Sequence, residues 1–217
     1  MGVTGMGETI KGANRWKTWA FPAAVVIVLA IIAIYWWASS AGGSRLPVVR
    51  DAAPFSFEDA DGNTVTLENT GGKVRLLYFF FSYCPDVCPP TTFLLSQVQN
   101  RLKDMGVFGD KVMLLSVTID PERDTPERLR EFAGKFDADF SGWKFLRGEE
   151  KATADLAKQY DILVTKDSEG NFGHSNLYIL IDQDGKIRKW ISVSGYLLEG
   201  DLEGTLNGII GDIKSLL

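Results

Sequence analysis

One uninterrupted run of large apolar side chains constrains the fold of this chain more than any other feature. It reads Val74-Arg-Leu-Leu-Tyr-Phe-Phe-Phe81. Strands that alternate apolar and polar side chains expose one face to water, whereas a continuous apolar run is typical of a strand covered on both faces. The run therefore predicts a central strand, from about residue 73 to residue 81, in a layered α/β domain.

The loop after this strand contains both cysteines of the chain, Cys84 and Cys88, and three prolines. Each cysteine precedes a proline, which disfavours helical backbone at that position, and a proline suits the first position of a helix. We therefore expect the next helix to begin at about Pro90. Cys88 then lies at the positive end of that helix, where thiolate is favoured over thiol. Such a pair is more typical of reactive or metal-binding thiols than of buried structural ones.

Apolar periodicity predicts the remaining elements of the domain. They are a hairpin at 55–57 and 64–67, helices at 91–103, 126–136, 151–160 and 199–217, a second buried strand at 112–119, and a second hairpin at 176–182 and 186–193. We expect Thr125 to cap the second helix and Pro126 to be its first residue. This order predicts an α/β, thioredoxin-like fold with an added N-terminal β-hairpin and an inserted helix.

A segment of twenty residues without charge, Trp19 to Ala38, precedes the domain. This length is sufficient for a helix to cross a bilayer, at about 1.5 Å per residue against about 30 Å of hydrocarbon. Aromatic residues at both ends suit the headgroup regions. A cleaved signal peptide is the alternative, but its apolar region is typically only about 7 to 15 residues long. We therefore expect one uncleaved N-terminal transmembrane helix.

The segment divides the chain into four predicted parts. These are a cytoplasmic N-terminal tail at 1–18, a transmembrane anchor at 19–38, a linker at 39–53 and the thioredoxin-like domain at 54–217. Basic residues are more frequent before the anchor than after it, which favours a cytoplasmic N-terminus. We therefore expect a single-pass protein of the cell membrane with an extracytoplasmic domain, and the short N-terminus favours a prokaryotic source.

The charge of the chain argues against nucleic acid as a partner. The net charge is −5 and the sequence pI is about 5.0. The residues before position 46 contribute +3 to this total, so the remainder carries −8. Phosphate binding needs a clustered basic surface, which the chain lacks. The acidic domain attracts basic partner surfaces, although simple solubility explains the same charge.

The chain contains only one histidine, His174. Two thiolates and one imidazole are the donors that a thiophilic metal uses, and Cu(I) accepts three such ligands, whereas zinc needs a fourth. Three residues between the cysteines, rather than the two of common disulfide oxidoreductases, leave room for an ion between the sulfurs. A single histidine is often structural. In the predicted fold, however, the loop before the late hairpin approaches the cysteine turn, so His174 can reach the two sulfurs. With three ligands and no fourth, copper is a better match than zinc.

Three segments carry a resemblance to a known family. They are Tyr83 to Pro89 with C-P-D-x-C-P, Val117 to Pro126 with D-P-x-x-D-T-P, and His174-Ser175 before an apolar strand. On these motifs the chain resembles, over about residues 53–195, the Sco/SenC family of membrane-anchored copper proteins that help to build the CuA centre of cytochrome c oxidase. The resemblance implies a thioredoxin fold that binds Cu(I) and Cu(II) through Cys84, Cys88 and His174. The family often has an aspartate before the histidine, where this chain has Gly173.

The sequence therefore predicts a membrane-anchored copper metallochaperone rather than an enzyme. Its expected partners are the CuA-bearing oxidase subunit or another cuproprotein, the membrane, and a thiol reductant or copper donor protein. One alternative is a thiol-disulfide reductase in which Cys84 and Cys88 form the redox-active pair and keep the CuA-ligand cysteines reduced. A second alternative is a redox or copper sensor. His174 separates the first two, because only the copper site requires it.

Overall fold

The computed structural model of the chain describes residues 22, 25–34, 46–166 and 172–217. Contacts divide the chain into two compact units, Met1–Arg45 and Leu46–Leu217. Residues 25–34 of the first unit are helical. None of the helices in the described ranges has the length and apolar character needed to cross a membrane. The tail 1–18 and parts of the anchor 19–38 and linker 39–53 lie outside the described residues, so these divisions stay predictions.

A mixed sheet forms the centre of the second unit. Within the described ranges it has eight strands, which are β1 Arg50–Asp51, β2 Ser56–Asp59, β3 Thr64–Thr66, β4 Val74–Phe80, β5 Val112–Thr118, β6 Trp143–Arg147, β9 Leu177–Ile181 and β10 Lys186–Ser192. Their order in the sheet is β1-β10-β9-β4-β5-β6-β2-β3. A separate two-stranded sheet pairs β7 Val164–Lys166 with β8 Phe172–His174. Strands β4, β5 and β6 are parallel, whereas β9 is antiparallel to β4.

Five helices of the second unit follow or separate these strands in the described part of the chain. They are α1 Cys88–Asp104, α2 Pro126–Gly134, α3 Glu150–Gln159, α4 Ser194–Glu199 and α5 Leu202–Lys214. The fold is thus mixed α/β, and the predicted N-terminal hairpin is present as β2 and β3.

The predicted central strand is confirmed as β4. All seven of its residues are buried, as are all seven of β5, so both faces of the sheet centre are covered. The one charged residue of the run, Arg75, is fully buried. Its Nη1 donates to the carbonyl oxygens of Thr70 at 3.1 Å and of Lys73 at 2.6 Å. These hydrogen bonds compensate part of the cost of burying the guanidinium group.

Two predicted helix boundaries are wrong. The first helix begins at Cys88 rather than at about Pro90, so Cys88 and Pro89 have helical backbone despite the prolines that follow them. Prolines are tolerated there because the first four N–H groups of a helix have no partner within it. The last predicted helix, 199–217, is divided by Gly200, which has a left-handed φ of 71°. Asp201 then caps α5 by accepting a hydrogen bond from the backbone N–H of Gly204 at 2.9 Å.

The predicted start of the second helix is confirmed. Thr125 is the N-cap of α2, its hydroxyl accepts from the backbone N–H of Arg128 at 3.3 Å, and Pro126 is the first helical residue. The cap satisfies one of the N–H groups that the helix leaves unpaired.

We predict that Thr125→Ala lowers the free energy of unfolding by about 1 kcal/mol, because alanine has no acceptor for the Arg128 N–H. Urea denaturation followed by circular dichroism measures this change. Thr125→Ser is the matched control and should retain nearly all of the stability. Equal midpoints for wild type and Thr125→Ala would contradict the role of the cap.

Candidate metal centre

The turn between β4 and α1 brings the two cysteines together. The backbone N–H of Cys84 donates to the carbonyl oxygen of Phe81 at 3.3 Å, which turns the chain after the strand. Cys88 is the first residue of α1, and its backbone N–H points to the Cys84 sulfur at 3.4 Å. Both thiols are free, with Cys84 9% exposed and Cys88 0% exposed. Both cysteines are therefore buried, and only Cys84 keeps a small exposed fraction.

The surroundings of the two sulfurs give the two thiols different pKa values. A hydrogen bond from the Cys88 thiol, followed by the backbone N–H groups of Asp86, Cys88 and Val87, lowers the pKa of Cys84 to about 6 against the opposing effect of burial. The same sulfur-sulfur hydrogen bond and burial raise the pKa of Cys88 well above its ordinary value. The expectation that the helix start favours a Cys88 thiolate is thus wrong. The free N–H groups at the start of a helix point back along the chain, so they stabilise charge on Cys84.

His174 reaches the cysteine pair from β8. Its Nε2 lies 3.6 Å from the Cys88 sulfur, and its Nδ1 lies 3.1 Å from the carbonyl oxygen of Ser175. A carbonyl only accepts hydrogen bonds, so Nδ1 donates to Ser175 and Nε2 is left with its lone pair towards Cys88. Burial lowers the pKa of His174, which keeps the imidazole neutral. This is the protonation state that a metal ligand needs.

Aromatic rings hold the imidazole in place. The ring centroids of Tyr78 and Phe81 lie 6.1 and 6.0 Å from that of His174, both in edge-on geometry. Gly173 has no side chain to assist, and a β-carbon there would lie 3.0 Å from the hydroxyl oxygen of Thr165. The orientation of His174 therefore comes from the Ser175 carbonyl and from packing, without a carboxylate at the preceding position.

Tyr78 is a neighbour of the site that the sequence analysis did not identify, because it lies within an apolar strand. It is fully buried in β4, next to Cys88 and Thr91. Its hydroxyl has no hydrogen bond of normal geometry with any described residue. Burial and the adjacent Cys88 sulfur raise the pKa of Tyr78. The only sequence signal was a hydroxyl in a run of otherwise apolar side chains. Asp86, the aspartate of the C-P-D-x-C-P motif, is exposed and contributes its backbone N–H to the Cys84 environment.

Cys88 is the shared neighbour of the predicted ligands, since its N–H faces Cys84 and its sulfur faces His174. Within residues 46–166 and 172–217, no three His, Cys, Asp or Glu side chains already form a metal-binding cluster. The donor set itself, two sulfurs and one neutral imidazole nitrogen, fits a thiophilic ion such as Cu(I).

Comparison with known proteins gives consistent matches. The family model described as SCO1/SenC matches residues 47–196. The SCO1 protein homolog of Bacillus subtilis is 31% identical over 185 residues, which cover 81% of this chain and 89% of that protein. The chain spans 46% and 44% of two longer mitochondrial relatives, from Arabidopsis thaliana and Saccharomyces cerevisiae.

Two solved structures are also similar. BsSco, described with a disulfide switch and as a member of the Sco family of cytochrome c oxidase assembly proteins, has a TM-score of 0.68 and 28% identity, covering 80% of this chain and 98% of that one. Arabidopsis thaliana ScoI, described with copper bound, has a TM-score of 0.62 and 27% identity, covering 75% of this chain and 98% of that one.

We predict that iodoacetamide modifies Cys84 before Cys88 in the reduced protein, because the pKa of Cys84 is about 6 and that of Cys88 is raised. The rate at Cys84 should rise as pH passes about 6 and then level off, since thiolate is the reactive form. Peptide mapping by mass spectrometry over a pH series measures both rates. In the control variant Cys84→Ser, modification of Cys88 should remain slow. Faster modification of Cys88 in the wild type would refute the assignment.

Proposed function

This chain belongs to the SCO1/SenC family, and on that basis we propose that it binds copper through Cys84, Cys88 and His174 and delivers it during assembly of cytochrome c oxidase. The acceptor is the CuA-bearing oxidase subunit or another cuproprotein. The observation that carries this proposal is the 3.6 Å approach of His174 Nε2 to the Cys88 sulfur. A dithiol needs no imidazole for redox chemistry, whereas a three-coordinate copper site does.

Copper in this proposal is cargo rather than a resident cofactor. The copper-bound relative supports the choice of metal, and the soft donor set supports Cu(I) in particular. Cu(II) is a second cargo state that the same ligands accept. The neutral imidazole and the low pKa of Cys84 reduce the number of protons that must leave when copper binds.

The different burial of the two sulfurs suggests how copper leaves. Cys88 is fully enclosed beside His174, whereas Cys84 keeps a small exposed fraction of 9%. An incoming thiolate of the acceptor reaches a copper ion from the Cys84 side and replaces Cys84 first. The three-coordinate site gains a ligand before it loses one, so transfer requires no unfolding. A copper donor protein loads the site by the reverse exchange.

A second function, thiol-disulfide reduction, is favoured by the lowered pKa of Cys84. In this reaction the Cys84 thiolate attacks a disulfide of the oxidase subunit, and the first partner sulfur leaves as a thiolate. Cys88, once deprotonated, attacks Cys84 in the mixed disulfide and releases the second partner thiolate. The partner gains two electrons, and Cys84 and Cys88 become a disulfide that a thiol reductant must restore. BsSco, with its described disulfide switch, supports this second reading.

We further propose that residues 19–38 anchor the chain in the cell membrane, with the N-terminus in the cytoplasm and the domain outside. The support is the charge-free length of twenty residues with aromatic residues at its ends. An anchored donor meets a membrane-bound acceptor at a high effective concentration.

We predict that the reduced full chain binds one copper ion through two sulfurs and one nitrogen, and that His174→Ala removes the nitrogen and weakens binding at least about tenfold. Metal analysis, X-ray absorption and competition with a Cu(I) chelator measure these properties. Oxidation of the dithiol should be nearly unchanged in His174→Ala. Thr165→Ala is the matched control, because Thr165 pairs with Gly173 in the same hairpin but offers no soft ligand.

The outcomes separate the two functions. Unchanged copper affinity in His174→Ala would refute the ligand assignment. If the wild-type protein binds no copper but its dithiol is reversibly oxidised and reduced, the result would assign the reductase function.

We also predict that the full chain stays with the membrane fraction after carbonate extraction and that deletion of residues 19–38 releases it. The reason is the loss of a segment long enough to span the hydrocarbon core. Protease added to intact spheroplasts should digest the domain if it faces outward. A full chain found in the carbonate supernatant would contradict the anchor, and protection from protease would contradict the orientation.

A further inference from the structure

Asp124 is a buried carboxylate in the loop between β5 and α2, with 0% exposure. The backbone N–H of Ser82 donates to its two oxygens at 3.3 and 3.1 Å. The hydroxyls of Ser82 and Thr118 also donate to it through short hydrogen bonds. Burying a carboxylate costs free energy unless such donors compensate it. These donors connect Asp124 to Ser82 and Thr118, whereas the cap of α2 is supplied by Thr125.

Arg128 completes the cluster from the first turn of α2. Its Nε donates to the Ser82 hydroxyl at 2.8 Å, and its Nη2 donates to the Ser82 carbonyl oxygen at 3.1 Å. The same guanidinium lies over the ring of Tyr83, 4.5 Å from the ring centroid. The N–H, hydroxyl and carbonyl of Ser82 are thus all held by Asp124 and Arg128. We name this set, Thr118, Asp124 and Arg128 around Ser82, the Ser82 clamp.

The position of the clamp relates it to the cysteines. Phe80 and Thr118 pair at the ends of the parallel strands β4 and β5, so both strands end at the same edge of the sheet. Ser82 is where the chain leaves that edge, two residues before Cys84. Helix α1 fixes Cys88 and the β7–β8 hairpin carries His174, whereas Cys84 lies in the turn that links strand to helix. The clamp is the connection that fixes this turn at its start.

We propose that Asp124 is a positioning residue for Cys84, acting through the Ser82 clamp. This inference rests on the proposed copper site. By fixing Ser82, Asp124 holds the backbone of the turn in place while the Cys84 side chain remains free to exchange its ligand bond. A ligand whose backbone is already ordered loses less conformational entropy when it binds a metal.

The central test is Asp124→Asn in the full chain. Asparagine keeps the shape of the side chain but presents an NH₂ group to donors that need an acceptor. We expect Cu(I) affinity, measured by chelator competition, to fall about tenfold or more. In the copper-free protein, amide hydrogen exchange at residues 82–84 should become faster while exchange in the β5 core stays slow. Thr118→Val should also lower copper affinity and speed amide exchange at residues 82–84. Thr118→Ser, which keeps the hydroxyl, should leave both at their wild-type values.

Asp182→Asn is the matched control for loss of a buried carboxylate. Asp182 is 4% exposed and accepts from the backbone N–H groups of Asp184 at 3.0 Å and Lys186 at 2.8 Å. It follows Ile181, which pairs with Arg75 near the start of β4, at the end of the strand remote from the cysteines. We expect Asp182→Asn to lower the melting temperature without changing copper affinity or exchange at 82–84.

Each outcome decides between explanations. If Asp124→Asn has the copper affinity of the wild type and its amide exchange rates at 82–84, the positioning role is overturned. The same holds if Asp124→Asn and Asp182→Asn lower copper affinity by the same factor. If Asp124→Asn does not fold, Thr118→Val and Thr118→Ser carry the same test. A wild-type chain that binds no copper would refute the proposed function instead, and the exchange measurement would still decide whether Asp124 fixes the turn.

Discussion

The antiparallel pairing of β4 with β9 is the interaction on which the candidate site depends. Tyr78 lies opposite Tyr178 in this pair. In antiparallel strands the outgoing end of one lies beside the incoming end of the other, so the chain leaving β4 towards Cys84 meets the chain that enters β9 from His174. A shift of this register would separate the imidazole from the sulfurs. The parallel neighbour β5 ends at the same edge, which brings Asp124 to the turn.

The site therefore combines a backbone framework set by strand pairing with two sulfurs of different pKa. The hydrogen bond between the two thiols lowers the pKa of Cys84, with help from backbone N–H groups, and the same bond together with burial raises that of Cys88. In both proposed functions the exchange begins at Cys84, the sulfur with the lower pKa, so the cysteine pair is common to a chaperone and a reductase. His174 separates the two proposed functions, because copper binding through the proposed ligands needs the imidazole and disulfide exchange does not.

The sequence predicted the central strands well, because long apolar runs are a strong signal. The rare ligand inventory singled out Cys84, Cys88 and His174, whose role as copper ligands stays a prediction. The start of α1 was misplaced, since prolines fit several positions of a first helical turn and the sequence alone does not select one. Strands β6 and β7–β8 were missed. The latter are three residues each, too short for a clear alternation, so His174 was placed in a loop although it ends β8. The role of Asp124 depended on Ser82, forty-two positions away, and no local pattern encodes that contact.

At Gly173 this chain has no carboxylate to orient the imidazole of His174, and a backbone carbonyl and aromatic packing orient it instead. An aspartate before the histidine would give the imidazole a carboxylate partner and increase the basicity of the coordinating nitrogen. Here the Ser175 carbonyl accepts from Nδ1 at 3.1 Å instead, and the rings of Tyr78 and Phe81 restrict rotation. A neutral acceptor fixes the tautomer without adding charge to the buried site, so the imidazole remains a weaker base. In the proposed copper site, a weaker nitrogen donor holds copper less firmly than the two thiolates do, which favours release of the cargo over its permanent retention.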